Sequence, residues 1–286
     1  VLTAAATGVL IVFGGLVTNT GAALAVPDWP TTFGHSMFMF PWSQMVGGVF
    51  YEHSHRLLGS VVGLLTVALA AALWPRGGRL RALGIVAVVA VIAQGVVGGL
   101  RVVLLTDGLA MVHGPLAQGF FALVVAIALI TSERMAQPAP ALDGGTRGLT
   151  LAAALLVYLQ IVFGALLTHA GRIDLHLVGA LAVFALVPVV TARLRRTGDA
   201  VAAPAARALL LLLAAQLLLG VGAYLVRFSA IWIPGGQVTM LALPVAHRLT
   251  GGLILAAGVI LAVRVMTGSR SAPAPVPSQR AFGIAR

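Results

Sequence analysis

The sequence predicts an all-α, polytopic membrane protein with eight transmembrane helices, arranged as two pseudo-symmetric four-helix bundles. Of its 286 residues 60% are apolar and only 9% charged, and the mean hydropathy is +1.05, whereas soluble domains carry about 25% charged residues. Apolar stretches recur along the chain, most reaching the ~20 residues that cross ~30 Å of hydrocarbon. Strings from the first half also return in the second. "GGLVTNTG" at 14–21 matches "GALLTHAG" at 164–171, and "QGVVGG" at 94–99 has a counterpart in "QLLLGVG" at 216–222. These matches lay span one over five and span three over seven, which is four helices used twice in the same orientation.

The first span covers residues 1–25. No basic segment precedes it and it runs into a polar motif, so it reads as a retained span; the missing initiator methionine suggests a trimmed start. Spans two to four cover 56–74, 82–105 and 110–131, completing an N-terminal half of residues 1–131. Residues 132–148 read as a cytoplasmic linker. Spans five to eight cover 149–168, 175–192, 205–226 and 243–265, so the C-terminal half is 149–265. The remainder, 266–286, contains "SAPAPVPS" and is expected to be a disordered cytoplasmic tail.

All 18 basic residues are arginine. Arg76, Arg79 and Arg81 follow span two, Arg134 and Arg147 follow span four, and Arg193, Arg195, Arg196 and Arg207 lie between spans six and seven. Arg264, Arg270, Arg280 and Arg286 lie at the end of the chain. The positive-inside rule makes these regions cytoplasmic, with both termini inside a bacterial-type plasma membrane. The net charge of +11 is then mostly topology and calls for no nucleic-acid partner. Cysteine is absent, which excludes disulfides, thiolate ligands and iron–sulfur clusters.

On this topology the histidines form a pattern. His55 opens span two, His113 span four, His176 span six and His247 span eight, all at the outer ends of the even helices. Ionisable groups inside membranes are rare and usually serve binding or transport. Helices two and four can present one imidazole each to a shared cleft, and six and eight another pair. An iron porphyrin suits such clefts, being a flat apolar macrocycle with axial nitrogens above and below. Arg56 and Arg248 directly follow His55 and His247, where a guanidinium could pair with a porphyrin propionate. By order His55 corresponds to His176 and His113 to His247, although "HRLLG" at 55–59 locally resembles "HRLTGG" at 247–252.

Glu52 breaks the symmetry. It shares a helical face with His55 if the helix reaches back that far, while Ile173 and Pro244 hold the equivalent places before His176 and His247. Its competing reading is a carboxylate paired with Arg56 or with the helix N-terminus. A ferritin-like di-iron site would need two Glu-x-x-His pairs and two further glutamates, and the only other glutamate is Glu133 at the opposite membrane face. Zinc held by Glu52, His53, His55 and His35 would follow no established spacing. Asp28 and Trp29 in "PDWP" suit either a loop lid or simple turn chemistry, and Trp42 and Trp232 suit interfacial anchors. Arg101, Arg172 and Arg227 at the outer ends of odd helices suit propionate contacts or salt bridges to Asp107 and Asp174. His35, His53 and His169 receive no role.

"GGLVTNTGAALAVPDWP" at 14–30, "EHSHR" at 52–56 and single histidines opening the later even helices together resemble the haem A synthase family of respiratory-oxidase assembly enzymes. The resemblance spans roughly residues 8–265. It implies a haem-dependent membrane oxidoreductase that converts haem O to haem A by oxidising a ring methyl to a formyl group, with haem b as cofactor. His55 and His113 would flank the substrate haem, His176 and His247 would ligate haem b, and Glu52 would be the essential carboxylate. The implied partners are haem O, a haem O synthase, an electron donor of unknown kind and membrane lipid; a homo-oligomer is compatible. Many relatives carry a cysteine pair in the first outer loop that this chain lacks, and "HAGRID" makes the connection between spans five and six short. Two other classes use the same histidines: a bis-histidine dihaem electron-transfer cytochrome, and a non-catalytic haem carrier.

Overall fold

In hydrocarbon a backbone N–H or C=O finds no water, so a spanning segment must satisfy its polar groups within itself, and each apolar stretch here forms one helix. The computed structural model describes residues 1–268. Among them the chain forms α1 (Leu2–Asn19), α2 (Gly47–Leu73), α3 (Gly78–Leu104), α4 (Asp107–Ile130), α5 (Gly144–Ala170), α6 (Ile173–Arg195), α7 (Ala202–Phe228) and α8 (Gly236–Thr267). All eight are long and apolar enough to cross a membrane. The protein is therefore an all-α polytopic membrane protein. The expected tail lies, from residue 269 onward, outside the described residues; Met266 and Thr267 before it still belong to α8.

Helix ends differ from the sequence expectation where polar residues hide inside helices. α2 begins at Gly47 rather than at residue 56, because Glu52 and His53 are buried under the preceding loop and continue the helix. α5 starts at Gly144, inside the expected linker. The Asp143 carboxylate caps it by accepting from the Thr146 N–H at 2.8 Å and the Thr146 hydroxyl at 2.7 Å. α5 ends on Gly171 at φ +66°, a left-handed cap that glycine adopts without strain, so only Gly171 and Arg172 join it to α6. By contrast α1 and α2 are joined by residues 20–46, which hold two short 3₁₀ turns, Met37–Met39 and Trp42–Gln44.

Two apolar cores result. One centres on Val62, Phe120, Val124 and Ile127 from α2 and α4, the other on Val187, Leu194, Leu209 and Leu261 from α6, α7 and α8. α4 and α8 lie where the halves meet: α8 packs against α1, α4, α5 and α7, and α4 against α1, α3, α5 and α8. Each core includes a buried residue from the opposite half, Ala256 in the first and Ala122 in the second, and Leu249 also packs on the first.

At the end of the molecule away from the histidines, Arg264 is fully buried. Its Nη2 donates to Asp199 Oδ2 at 2.7 Å and to the Pro138 carbonyl at 2.9 Å, and Nη1 donates to the Gln137 carbonyl at 3.1 Å. Asp199 also accepts from the N–H groups of Val201 and Ala202 and so caps α7. This knot ties α8, the α6–α7 turn and the segment before α5 together. Arg264, which charge counting treats as one more topology marker, is a buried structural residue.

Candidate functional site

Each of the four histidines lies in the N-terminal part of an even helix, and each leans on a glycine of the preceding odd helix. A Cβ added at Gly14 would stand 3.1 Å from His55 Cε1; at Gly98, 3.2 Å from His113; at Gly164, 3.6 Å from His176; at Gly220, 3.0 Å from His247. The residue one turn before each glycine supplies the neighbouring polar group. Gln160 Nε2 lies 3.1 Å from His176 Nδ1 and donates to the His176 carbonyl at 2.9 Å; Gln216 Nε2 lies 3.3 Å from His247 Nε2; Gln94 Nε2 donates to the His113 carbonyl at 3.2 Å. In α1 that place is Leu10, whose main chain lies against the His55 ring. The motif is thus a glycine notch four residues after a glutamine or leucine, "LIVFG" at 10–14, "QGVVG" at 94–98, "QIVFG" at 160–164 and "QLLLG" at 216–220. The quoted repeats contain this signal; the use of the notches to seat imidazoles does not follow from sequence spacing alone.

The structure brings the histidines together in two facing pairs. The His55 and His113 ring centres are 6.5 Å apart with planes at 76°, and those of His176 and His247 are 6.2 Å apart at 67°. A metal–imidazole bond is about 2 Å, and adding ~1 Å from nitrogen to ring centre on each side gives a spacing of about 6 Å for two axial imidazoles on one metal. Both pairs fit that spacing. The buried Nδ1 atoms of His55, His113 and His247 also have no hydrogen-bond partner. A buried polar atom left unpaired costs about 1–3 kcal/mol, so three such atoms in matched places ask for a ligand or a proton acceptor. No group of three or more His, Asp or Glu side chains comes together among the described residues, so nothing here has the form of a zinc site.

Glu52 and Arg56 occupy the next part of α2, but both turn to the 20–46 loop. Glu52 Oε2 accepts from the Val26 N–H at 3.0 Å and Oε1 from Arg56 Nη2 at 2.7 Å. Arg56 further donates to the carbonyls of Val26, Asp28 and Thr31 at 3.1, 2.7 and 3.0 Å. His53, 1% exposed, is 3.0 Å from the Thr32 hydroxyl through Nδ1 and packs its ring on Phe40. One turn of α2, residues 52, 53 and 56, therefore fastens the loop at three points. The sequence alone gives His53 no role, because its tertiary partner Thr32 leaves no local signal.

Inside that loop Asp28 closes a tight turn, accepting from the N–H groups of Phe33 and Gly34 and from the Thr31 hydroxyl. Burial alone would raise its pKa; the Gly34, Thr31 and Phe33 hydrogen bonds outweigh that and hold it below the ordinary carboxylate value. The turn places the Trp29 indole against Gly99, where any Cβ would collide with it. Gly99 adjoins Gly98, on which His113 rests, so the loop reaches the turn of α3 that seats one imidazole of the first pair. The two-residue link between α5 and α6 gives the second pair no comparable loop.

The remaining candidates separate. Arg172 is bidentate to Asp174, with bonds of 2.9 and 2.7 Å at the surface, and is a simple ion pair. Arg248 reaches across to α1, its Nη1 3.5 Å from the Gly14 carbonyl. Arg227 Nη1 donates to Asn19 Oδ1 at 2.8 Å.

The family model for COX15-CtaA, described as cytochrome oxidase assembly protein, matches residues 1–174. A protein named heme A synthase from Shouchella clausii (strain KSM-K16) is 32% identical over 172 residues, covering 57% of this chain. The match spans 56% of that relative, little more than half its length. His176 and His247 lie beyond the residues that the family model matches, and what relates them to the first pair is the repeated geometry. With more than half of its length matched, the chain belongs to the COX15-CtaA family of cytochrome oxidase assembly proteins.

Proposed function

We propose that the chain is a haem A synthase-like membrane oxidoreductase, which oxidises a ring methyl of haem O to a formyl group and so makes haem A for terminal oxidases. The observation that carries this reading is the pair of histidine clefts, each spaced for one bis-imidazole iron, of which the first is flanked by a long loop anchored on the helix turn that carries His55. That asymmetry supports a division of labour. The loop-flanked His55/His113 cleft takes the substrate haem, and the His176/His247 cleft holds a resident haem b.

Methyl to formyl is a multi-electron oxidation beyond any side chain. As two successive hydroxylations, each consuming dioxygen, an electron pair and two protons and releasing water, it would give a geminal diol that loses water to the formyl; haem iron, when bound, would supply that redox chemistry. The residues do the rest. The four imidazoles would hold and orient the two macrocycles, and the glycine notches fix the rings that would bind them. Trp29 and the loop flank the first cleft on the side of Gly99. Glu52 is the proton-handling carboxylate: Arg56 keeps it paired in the resting state, and the Val26 N–H fixes its second oxygen. By the positive-inside rule Arg76, Arg79, Arg81, Arg134, Arg147 and Arg193 support a cytoplasmic position for the opposite end of the bundle, with both termini inside and the clefts toward the outer face. Haem O synthase and an electron donor are the partners this reaction requires.

The test is to express the full chain in a host that makes haem O but no haem A, and to analyse extracted haems by chromatography and mass spectrometry beside Glu52→Ala and Glu52→Gln. Wild type is expected to accumulate haem A or its hydroxylated precursor, and neither variant should. Bound haem b with no oxidised haem, despite oxygen and an electron donor, would instead support the dihaem electron-transfer cytochrome, which needs the histidines and has no use for Glu52.

A further inference from the structure

The loop between α1 and α2 folds down beside the bundle. Trp29 lies against Gly99, five residues before α3 ends at Leu104. Val26 and Thr32 are held by Glu52 and His53, five and six residues after α2 begins at Gly47. At 1.5 Å per residue each of these contacts lies about 7–9 Å inside a helix end. α3 has 27 residues and so is ~40 Å long, about 10 Å more than the hydrocarbon layer. Centred in a bilayer, it holds Gly99 close to the boundary between headgroups and acyl chains, and the loop with it.

The middle of the loop has two unlike sides. Phe40 is buried, its ring 5.0 Å from that of His53 and 5.9 Å from that of Phe33, which fixes the turn Met37–Met39 on α2. On the other side Phe38, Met39 and Trp42 are 68%, 77% and 79% exposed. From residue 29 to residue 51 the chain has no Asp, Glu, Lys or Arg. An uncharged patch of large apolar side chains marks a contact with protein or with membrane. Depth favours lipid, and so does continuity. Phe50 in the first turns of α2 is exposed and shares one helical face with the exposed Val61 and Leu64, so the apolar surface runs from the loop into the lipid-facing side of the span. Tryptophan and phenylalanine suit that boundary, where an aromatic ring meets both headgroups and acyl chains.

We propose that residues 37–46 form a membrane-seated arc, with Phe38, Met39 and Trp42 inserted between the headgroups and acyl chains of the leaflet at the histidine end of the molecule. The proposal stands whatever the histidine clefts bind. Trp42 is then one of three inserted side chains and not a lone anchor. Phe40 pins the arc to His53, two residues before His55, so the arc fastens the turn of α2 beside the first histidine pair to the lipid layer.

The chain has no cysteine, so single cysteines can carry a nitroxide in the full chain in phosphatidylcholine nanodiscs. Labels at Met39→Cys and Trp42→Cys are compared with Leu181→Cys on the exposed face of α6 and with Asp174→Cys, an exposed acid in the first turn of that helix. The ratio of collision with oxygen, which partitions into lipid, to collision with a water-soluble nickel chelate reads the surroundings. At 39 and 42 it is expected to exceed the Asp174 value by about threefold or more and to approach that of Leu181. A ratio like that of Asp174 places the arc in water and overturns the proposal. Weak collision with both reagents overturns it too, because protein, such as a second copy of the chain, then covers the arc. A label-free arm uses brominated phosphatidylcholine: with four tryptophans in the chain, Trp42→Phe should remove about a quarter of the quenched emission, and an unchanged quenched fraction counts against the proposal.

Discussion

Adding one methyl group at Gly220 should disturb the second histidine cleft, while the same change at Gly164 should not. A Cβ at Gly220 meets His247 Cε1 at 3.0 Å, whereas at Gly164 it meets His176 Cε1 at 3.6 Å. Non-bonded carbons sit best at about 3.5–4.0 Å, so His247 must retreat by roughly half an ångström and His176 need not move. A metal–ligand distance tolerates about ±0.2 Å, so the retreat must come out of the cleft or out of helix packing. Overpacking of this kind costs about 1–3 kcal/mol, which at about 1.4 kcal/mol per decade is roughly a five- to hundredfold loss of haem affinity. Gly164→Ala should stay within about twofold, since ordinary van der Waals contact carries no such penalty. Haem titration by absorbance reads the affinities, and thermal unfolding without added haem separates a packing effect from a ligation effect. Equal losses at Gly164 and Gly220, or unchanged affinity in both, would refute the notch argument.

Three other expectations follow from the same geometry. Imidazole planes at 76° and 67° are far from parallel, so the loaded protein should give the strongly anisotropic low-spin ferric signal of near-perpendicular axial ligands in electron paramagnetic resonance; a spectrum typical of parallel planes would contradict the pair geometry. Asp28 has its pKa held below the ordinary carboxylate value, so its contribution to the loop is full above that value and is lost as pH falls through the lower, folded-state pKa. Proteolysis or hydrogen exchange of residues 20–46 should rise in that acid range in wild type, and Asp28→Asn should show the looser loop at neutral pH too. Arg264→Ala should destabilise the protein by about 3–5 kcal/mol because it strands the buried Asp199 carboxylate. The Arg264→Ala/Asp199→Ala double variant should lose less than the sum of the two single changes in denaturation, and additive losses would argue against the pairing.

The spans were legible because the bilayer fixes both their length and their polarity, and eight apolar stretches became eight helices. Their ends were not, since Glu52 and His53 look like loop residues until the loop that buries them is in place. The pairing of His55 with His113 and of His176 with His247 could be expected from order alone, because the two even helices of one half stand diagonally across its four-helix ring and can aim side chains at each other through its interior. Nothing in the sequence around Gly14 and Gly98 points to a histidine, and only the three-dimensional register shows an imidazole over each. Arg56 and Arg248 sit in similar local strings yet meet different surroundings: one is enclosed by a loop that only the first half possesses, and the other faces the seam. Local sequence carries no information about that difference.

The central claim is that each half holds one porphyrin iron between its two facing imidazoles. The most direct measurement is the haem-to-chain ratio of the purified full chain supplied with haem, by pyridine haemochrome and amino-acid analysis, in wild type and in His55→Ala and His247→Ala. Two haems per chain in wild type, with each substitution removing low-spin signal from one site and sparing the other, is the result the account predicts. One haem per chain, or a ratio and spectrum unchanged by either substitution, would contradict it.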